Sequence, residues 1–352
     1  MNVVDFTSAL YLDLRHPSRC LAPWQRLTTG VPAALAEAPG VAELSAGLAR
    51  LLGRPAATPA RSGLHAMLDV VGALGDGATV WCDAGAYPTA VQAARAAGRR
   101  PRTFTHHDPA DLARRMTAGT GRPLVLCDGY CPGCGTVAPL DAYLRVAGRA
   151  GGLVVVDDTQ AAGVLGHGAG SPAWLGVTGP GLVTVASLAK GFGVPMAVVA
   201  GDPHLVARVR ERGPARMHGS APSAVDLRAA DHAVRRNGFD GDRRREHLLT
   251  SVRRLREGLG ARGVRLTGGL FPLQSTPAQS VPAAAALTSA LLERGVRAVA
   301  HRPQCRPAAA VVSLLITAAH RAGDIDRAVA ALAAELPAVR NGHGGLLTGV
   351  RA

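Results

Sequence analysis

Of the 39 cationic lysine and arginine residues in this chain, only Lys190 is a lysine. Arginine carries charge and forked hydrogen bonds, but its guanidinium stays protonated and cannot act as an amine nucleophile. A lysine amine can lose its proton and condense with an aldehyde. Compositional bias alone would leave a single lysine anywhere, so its surroundings decide whether it does chemistry.

Lys190 opens the tight glycine turn Lys190-Gly191-Phe192-Gly193-Val194, directly after a buried apolar run. Asp157 ends the most apolar run of the chain, Leu153-Val154-Val155-Val156. A carboxylate there suits a ring nitrogen that must stay protonated, because the ion pair raises that nitrogen's pKa and lets the ring accept electrons. Gln160 follows within a turn and is placed to hydrogen-bond a phenolic oxygen. Ser62-Gly63-Leu64 introduces a helix, and backbone N–H groups plus a hydroxyl at a helix start make a phosphate seat. Ser187, a turn before the lysine, offers a second hydroxyl, and Tyr87, after Asp83, can stack on an aromatic ring. Singly, Asp157 and Ser62 read equally well as helix caps, and Tyr87 as ordinary packing. Together they describe a site for pyridoxal 5'-phosphate, with Lys190, Asp157 and Tyr87 as the catalytic candidates.

The elements that must position these residues follow from periodicity. Strands are predicted at Thr79–Asp83, Arg102–Thr105, Leu124–Asp128, Leu153–Asp157, Leu182–Ala186 and Ala197–Ala200. Helical stretches such as Ala90–Gly98, Pro109–Ala118 and Leu140–Ala150 lie between the earlier ones. Near-continuous Val/Leu strands with helical crossovers predict an α/β fold with a mostly parallel sheet buried on both faces. Several strands end in Asp or Ser, at the carboxyl edge where open α/β sheets bind ligands. After Asn237-Gly238-Phe239-Asp240-Gly241-Asp242 the pattern shifts. The expected organisation is an N-terminal segment (1–50), a large cofactor-binding domain (51–235), a smaller α+β domain (236–340) and a flexible glycine-rich tail (341–352).

An apolar content of 47% supports a real core, and the formal charge of +14 raises nucleic acid as a partner. The arginines are scattered through helical stretches such as Arg253-Arg254-Leu255-Arg256 without interleaved aromatics, which argues against it. Acidic substrates or acyl-carrier partners fit the charge equally well. No apolar run reaches membrane-spanning length, and Met1–Asp5 lacks a signal peptide's basic start, so a cytoplasmic protein is expected. Cys131-Pro132-Gly133-Cys134 has redox-motif spacing but lies in a Gly/Pro-rich loop. Cys20, Cys82 and Cys305 form no second pair, so reduced thiols and no metal site are the expectation.

The chain resembles the α-oxoamine synthase family of fold-type-I pyridoxal-phosphate enzymes. The resemblance is carried by Val4–Leu14, Phe104–Asp108, Asp128–Tyr130 with Val137–Leu140, Val156-Asp157-Asp158-Thr159-Gln160, Ala189–Val194 and Ile316-Thr317-Ala318-Ala319-His320. The last motif carries no cofactor chemistry and separates this family from aminotransferases at large. The resemblance implies a homodimer in which Ser220 reaches the neighbouring subunit's phosphate. It also implies condensation of an amino acid or amine with an acyl thioester, of coenzyme A or a carrier protein, with loss of carbon dioxide. An aminotransferase on the same scaffold is the alternative.

Departures from the family pattern fall in the substrate half. Tyr87 and Gln160 stand where the family usually has histidines, and Pro132 replaces a serine. Ala9 replaces an asparagine, and the carboxylate-binding arginine maps to Ser313 or its neighbours. Either Arg302 or Arg306 covers that loss, or the amine substrate is not a free α-amino acid held by its carboxylate.

Overall fold

The computed structural model describes residues 3–23, 25–117 and 121–336. The expected tail at 341–352 lies outside the described residues.

Seven strands build the central sheet: β1 (Ala56–Ala60), β2 (Ala78–Asp83), β3 (Arg102–Phe104), β4 (Arg122–Asp128), β5 (Leu153–Asp157), β6 (Leu182–Ser187) and β7 (Ala197–Gly201). Their order is β1-β7-β6-β5-β4-β2-β3. All neighbours are parallel except β7, which runs antiparallel to both β1 and β6. Strand residues alternate between faces, as a pleat buried on both sides requires. Val80, Leu124, Leu126, Val155 and Val183 enter one core, against helices α1 (Gly63–Leu74) and α2 (Pro88–Ala96). Trp81, Val125, Val154, Val156 and Leu182 enter the other, against α3 (Leu140–Gly148).

The strand β1 gave no sequence signal. Its Ala-Ala-Thr-Pro-Ala run is poor in β-branched residues, and it contains Pro59. As an edge strand it pairs only with β7, where a missing N–H is tolerated.

The expected boundary at 235/236 falls inside a single helix, α4 (Ala224–Gly260), which runs unbroken through Asn237–Asp242. The turn-forming residues there serve tertiary contacts instead. Asn237 Oδ1 accepts from Arg245 Nη1 at 2.8 Å, and that arginine also donates to the Gly163 carbonyl at 3.1 Å. A Cβ on Gly241 would stand 2.6 Å from Asn237 Oδ1, so the glycine makes room for this brace. Asp240 in turn collects Arg236 and Arg244. Several arginines of this helix are thus spent on internal contacts, including Arg244 Nη1 to the Leu12 carbonyl at 2.8 Å.

The C-terminal region carries a small antiparallel sheet of β8 (Leu273–Ser275), β9 (Val299–His301) and β10 (Val311–Leu315), with β10 in the middle. Helix α5 (Ala322–Glu335) packs on α4. The N-terminal segment is part of this body. Val4–Asp5 pairs in parallel with Val296–Arg297, and Phe6, Tyr11, Leu12 and Leu14 are buried in the shared core. Phe6 stacks on His320 at 4.2 Å, and His320 Nε2 lies 3.0 Å from the Asp5 carbonyl, so the C-terminal histidine motif grips the opening strand. No helix among the described residues is long and apolar enough to cross a membrane.

Candidate functional site at the carboxyl edge of the sheet

The parallel strands β4 and β5 end in register, with Asp128 opposite Asp157. Burial pushes both carboxyls above the ordinary range. For Asp128 the neighbouring Asp157 adds to the shift. Asp157 Oδ1 accepts the Thr159 N–H at 3.1 Å, and both oxygens of Asp128 accept the Tyr87 N–H at 3.1 Å. Tyr87 stands just before α2, after the turn from Asp83, and is 60% exposed.

Lys190 sits in the turn after β6. Burial lowers its pKa, against the attraction of Asp157 and Asp128. Among the described residues it forms no ion pair closer than 4 Å. The turn is packed backbone to backbone: a Cβ on Gly191 would stand 2.4 Å from the Ala162 carbonyl oxygen and 3.1 Å from Gly163 Cα. Gly193 adopts a positive φ of 66°, which bends the chain past Leu14 and His16. His16 Nε2 lies 2.9 Å from the Phe192 carbonyl oxygen.

Thr159 joins the aspartate strand to the lysine turn, because its hydroxyl accepts the Ser187 N–H at 2.9 Å. Ser187 lies beside the start of α1, where a Cβ on Gly63 would be 3.8 Å from the serine Cβ. Ser62 caps that helix, with its Oγ accepting the His65 N–H at 3.4 Å. The N–H groups of Gly63 and Leu64, in the first turn, have no intrahelical partner. Gln160 is held from outside the sheet: the Tyr11 hydroxyl donates to its Oε1 at 2.8 Å. Tyr11 is fully buried, which pushes its phenol far above the usual range, so it stays a donor.

The structure therefore brings Ser62, Gly63, Leu64, Tyr87, Asp157, Gln160, Ser187 and Lys190 to one edge. Ser220 is exposed, and its backbone bridges Pro32 rather than any residue of this group. Sequence reasoning missed Thr159, Tyr11 and Asp128. Only Asp128, a second acid ending a Val/Leu strand, left a signal of the kind that revealed Asp157.

These residues fit pyridoxal phosphate on their own chemistry. Two half-buried carboxyls that hold their protons tightly lie near a half-buried amine that makes no ion pair with either. A protonated ring nitrogen would supply a cation for Asp157 and leave the amine free. The opened helix N–H groups with two hydroxyls suit a phosphate.

In the small sheet, Ser313 is buried in β10, with its Oγ 2.7 Å from Ser275 Oγ and 2.9 Å from His301 Nε2. Burial lowers the His301 pKa, so this cluster is neutral. Arg302 and Arg306 are exposed. Cys305, which forms no pair with Cys20 or Cys82, is brought by folding beside both Cys131 and Cys134.

A family model, aminotransferase class I and II, matches residues 2–332. The chain is 36% identical over 298 residues to 8-amino-7-oxononanoate synthase of Halorhodospira halophila, covering 83% of this chain and 73% of that one. It is 31% identical to the enzyme of that name from Pseudomonas putida, covering 96% and 90%. Among solved structures, Sphingomonas wittichii serine palmitoyltransferase shares the fold with a TM-score of 0.84 at 20% identity, over 95% of this chain and 87% of that one. Matching over most of its length both in sequence and in fold, the chain belongs to the aminotransferase class I and II family and, within it, to the α-oxoamine synthase group of pyridoxal-phosphate-dependent acyltransferases.

Proposed function

We propose that this transferase joins an acyl group from a thioester to the α-carbon of an amine-bearing substrate, releasing the thiol and, where that carbon bears a carboxyl group, losing it as carbon dioxide, with Lys190 as the one reactive amine. The observation that carries the reading is the desolvated Lys190 beside the Asp128–Asp157 carboxyl pair. Bound pyridoxal phosphate supplies an electron sink for a carbanion. Lys190 anchors its aldehyde and moves a proton at the substrate α-carbon. Asp157 keeps the ring nitrogen protonated, and Gln160, aimed by Tyr11, donates its amide N–H to the phenolic oxygen. Tyr87 covers one ring face and keeps water from it. Ser62, the N–H groups of Gly63 and Leu64, and Ser187 hold the phosphate, joined by Ser220 from the second subunit of a homodimer. The six unpaired thiols support a reducing, cytoplasmic setting.

The neutral Ser275–Ser313–His301 cluster supports an amine substrate that is not gripped there by a carboxylate. A missing bidentate arginine forfeits a charge-assisted contact of about 1.5–3 kcal/mol. The relatives' name concerns an amino-oxo acid; for this chain the acyl thioester, of coenzyme A or a carrier protein, is the shared element.

Thiol release from acyl-coenzyme A, measured with a panel of amines and α-amino acids alongside carbon dioxide, tests the reading. Amine-dependent thiol release that vanishes in Lys190→Arg, with the fold retained by circular dichroism, is the expected result. Amino-group exchange with an amino donor and no thiol release would establish transamination instead. Brisk turnover of glycine or alanine would overturn the narrower statement about the carboxylate.

A further inference from the structure

Along the same carboxyl edge of the sheet, beyond Asp83 and Asp128, four side chains from three distant segments converge. His106 follows β3, Cys131 and Cys134 lie in the hairpin Tyr130–Cys131/Thr136–Val137, and Cys305 lies between β9 and β10. One imidazole nitrogen and three sulfurs lie within 4.8 Å of one another. A tetrahedral zinc ion with Zn–S bonds of about 2.3 Å needs sulfur–sulfur edges of about 3.8 Å. The group stands within about an ångström of that geometry.

We propose that Cys131, Cys134, Cys305 and His106 bind a structural Zn2+ that pins the C-terminal region to the sheet. Closing the tetrahedron displaces three thiol protons to solvent and forms three Zn–S bonds and one Zn–N bond.

The backbone is shaped for this ligand set. Gly135 has a φ of 73° and donates its N–H to the Cys131 carbonyl at 2.9 Å, turning the Cys-x-x-Cys loop back on itself. A Cβ on Gly133 would stand 2.5 Å from Cys305 Sγ and 2.5 Å from Pro303 Cβ, so only glycine admits the third cysteine.

The imidazole is oriented independently of the thiols. His106 Nδ1 lies 2.6 Å from Asp83 Oδ1, while its Nε2 lies 3.4 Å from Cys134 Sγ. A carboxylate on the far nitrogen is the usual outer support of a metal-bound histidine, fixing tautomer and ring plane. Asp83 is itself held by the N–H groups of Gly85 at 2.8 Å and His107 at 3.0 Å, and by the Tyr143 hydroxyl at 3.0 Å.

A dithiol redox pair needs two sulfurs, one of them exposed for attack. Here Cys131 is buried and Cys134 half-buried, and what sets the group apart from a pair is the third cysteine and the carboxylate-braced histidine beside them. Four protein ligands close the shell, which marks a structural rather than a catalytic ion.

The test is the metal content of the intact holoenzyme purified from zinc-supplemented cells without chelator, with the shell read by zinc K-edge absorption. About one zinc per chain in a sulfur-dominated, four-coordinate shell is expected. Cys305→Ser and Cys134→Ser lose it, and Cys20→Ser, outside the cluster, keeps it. In the wild-type protein, a thiol reagent releases zinc in step with modification of Cys131, Cys134 and Cys305, a readout that does not depend on the variants folding. Substoichiometric zinc with Cys131, Cys134 and Cys305 all freely reactive, a Cys131–Cys134 disulfide in protein purified without reductant, or full zinc in Cys305→Ser would each overturn the proposal. None of these outcomes depends on the acyl-transfer reading.

Discussion

The Tyr11 hydroxyl donates to Gln160 Oε1 at 2.8 Å, so a residue of the opening segment sets which face of the Gln160 amide looks into the cofactor edge. With its carbonyl engaged, Gln160 must present its NH2 group. A histidine in that place would titrate, whereas this pair holds one donor at every working pH.

Replacing Tyr11 with Phe removes the donor and leaves the glutamine free to flip. A buried hydrogen bond contributes about 1 kcal/mol net. Cofactor affinity is expected to fall roughly fivefold, by the same measure. Titration of the apoenzyme with pyridoxal phosphate reads this directly, and unchanged affinity would show that Gln160 is oriented by something else.

Gly191→Ala addresses the lysine turn. The added Cβ would meet the Ala162 carbonyl oxygen at 2.4 Å, and backbone cannot yield as a flexible side chain does. Overpacking of this kind costs about 1–3 kcal/mol. The thermal midpoint is expected to drop and the visible absorbance of the bound cofactor to weaken together. A lower midpoint with full absorbance would mean that the turn relaxes without moving Lys190.

Asp158, next to Asp157, is fully buried, and its carboxyl is pushed up to about 7, by burial first and by Asp157, against hydrogen bonds from the Ser171 hydroxyl and N–H. A carboxyl that holds its proton more tightly when folded stabilises the fold fully below its unfolded value near 3.8. That stabilisation is lost as pH rises toward 7. Asp158→Asn keeps the shape and removes the titration. Its stability relative to wild type should therefore rise between pH 4 and pH 7, by on the order of 2–4 kcal/mol. Denaturant unfolding at several pH values checks it; parallel profiles would place the titration elsewhere.

The sheet and half of the site were legible in the sequence because they are local. Five-residue Val/Leu runs ending in an acid mark strands and their carboxyl ends without reference to distant residues. Lys190 stood out by composition, and Ser62 by its place before a helical run. What stayed hidden depends on contacts across long stretches of chain. Tyr11 meets Gln160, and Cys305 meets His106, only once the N- and C-terminal segments close around the sheet. The Asn237–Asp242 stretch read as a break because its residues favour turns in isolation. In the fold, Arg245 bridges Asn237 and the Gly163 carbonyl, and tertiary contacts outweigh propensity.

Helix α4, at 37 residues, is a rod of about 55 Å. A rod transmits torque instead of absorbing it. Asn237–Asp242 is therefore no hinge, and the helix holds Ser223 at one end and Gly260 at the other as one rigid piece. Through Arg245 and the Gly163 carbonyl, the same rod braces the Gly163–Gly191 contact beside Lys190.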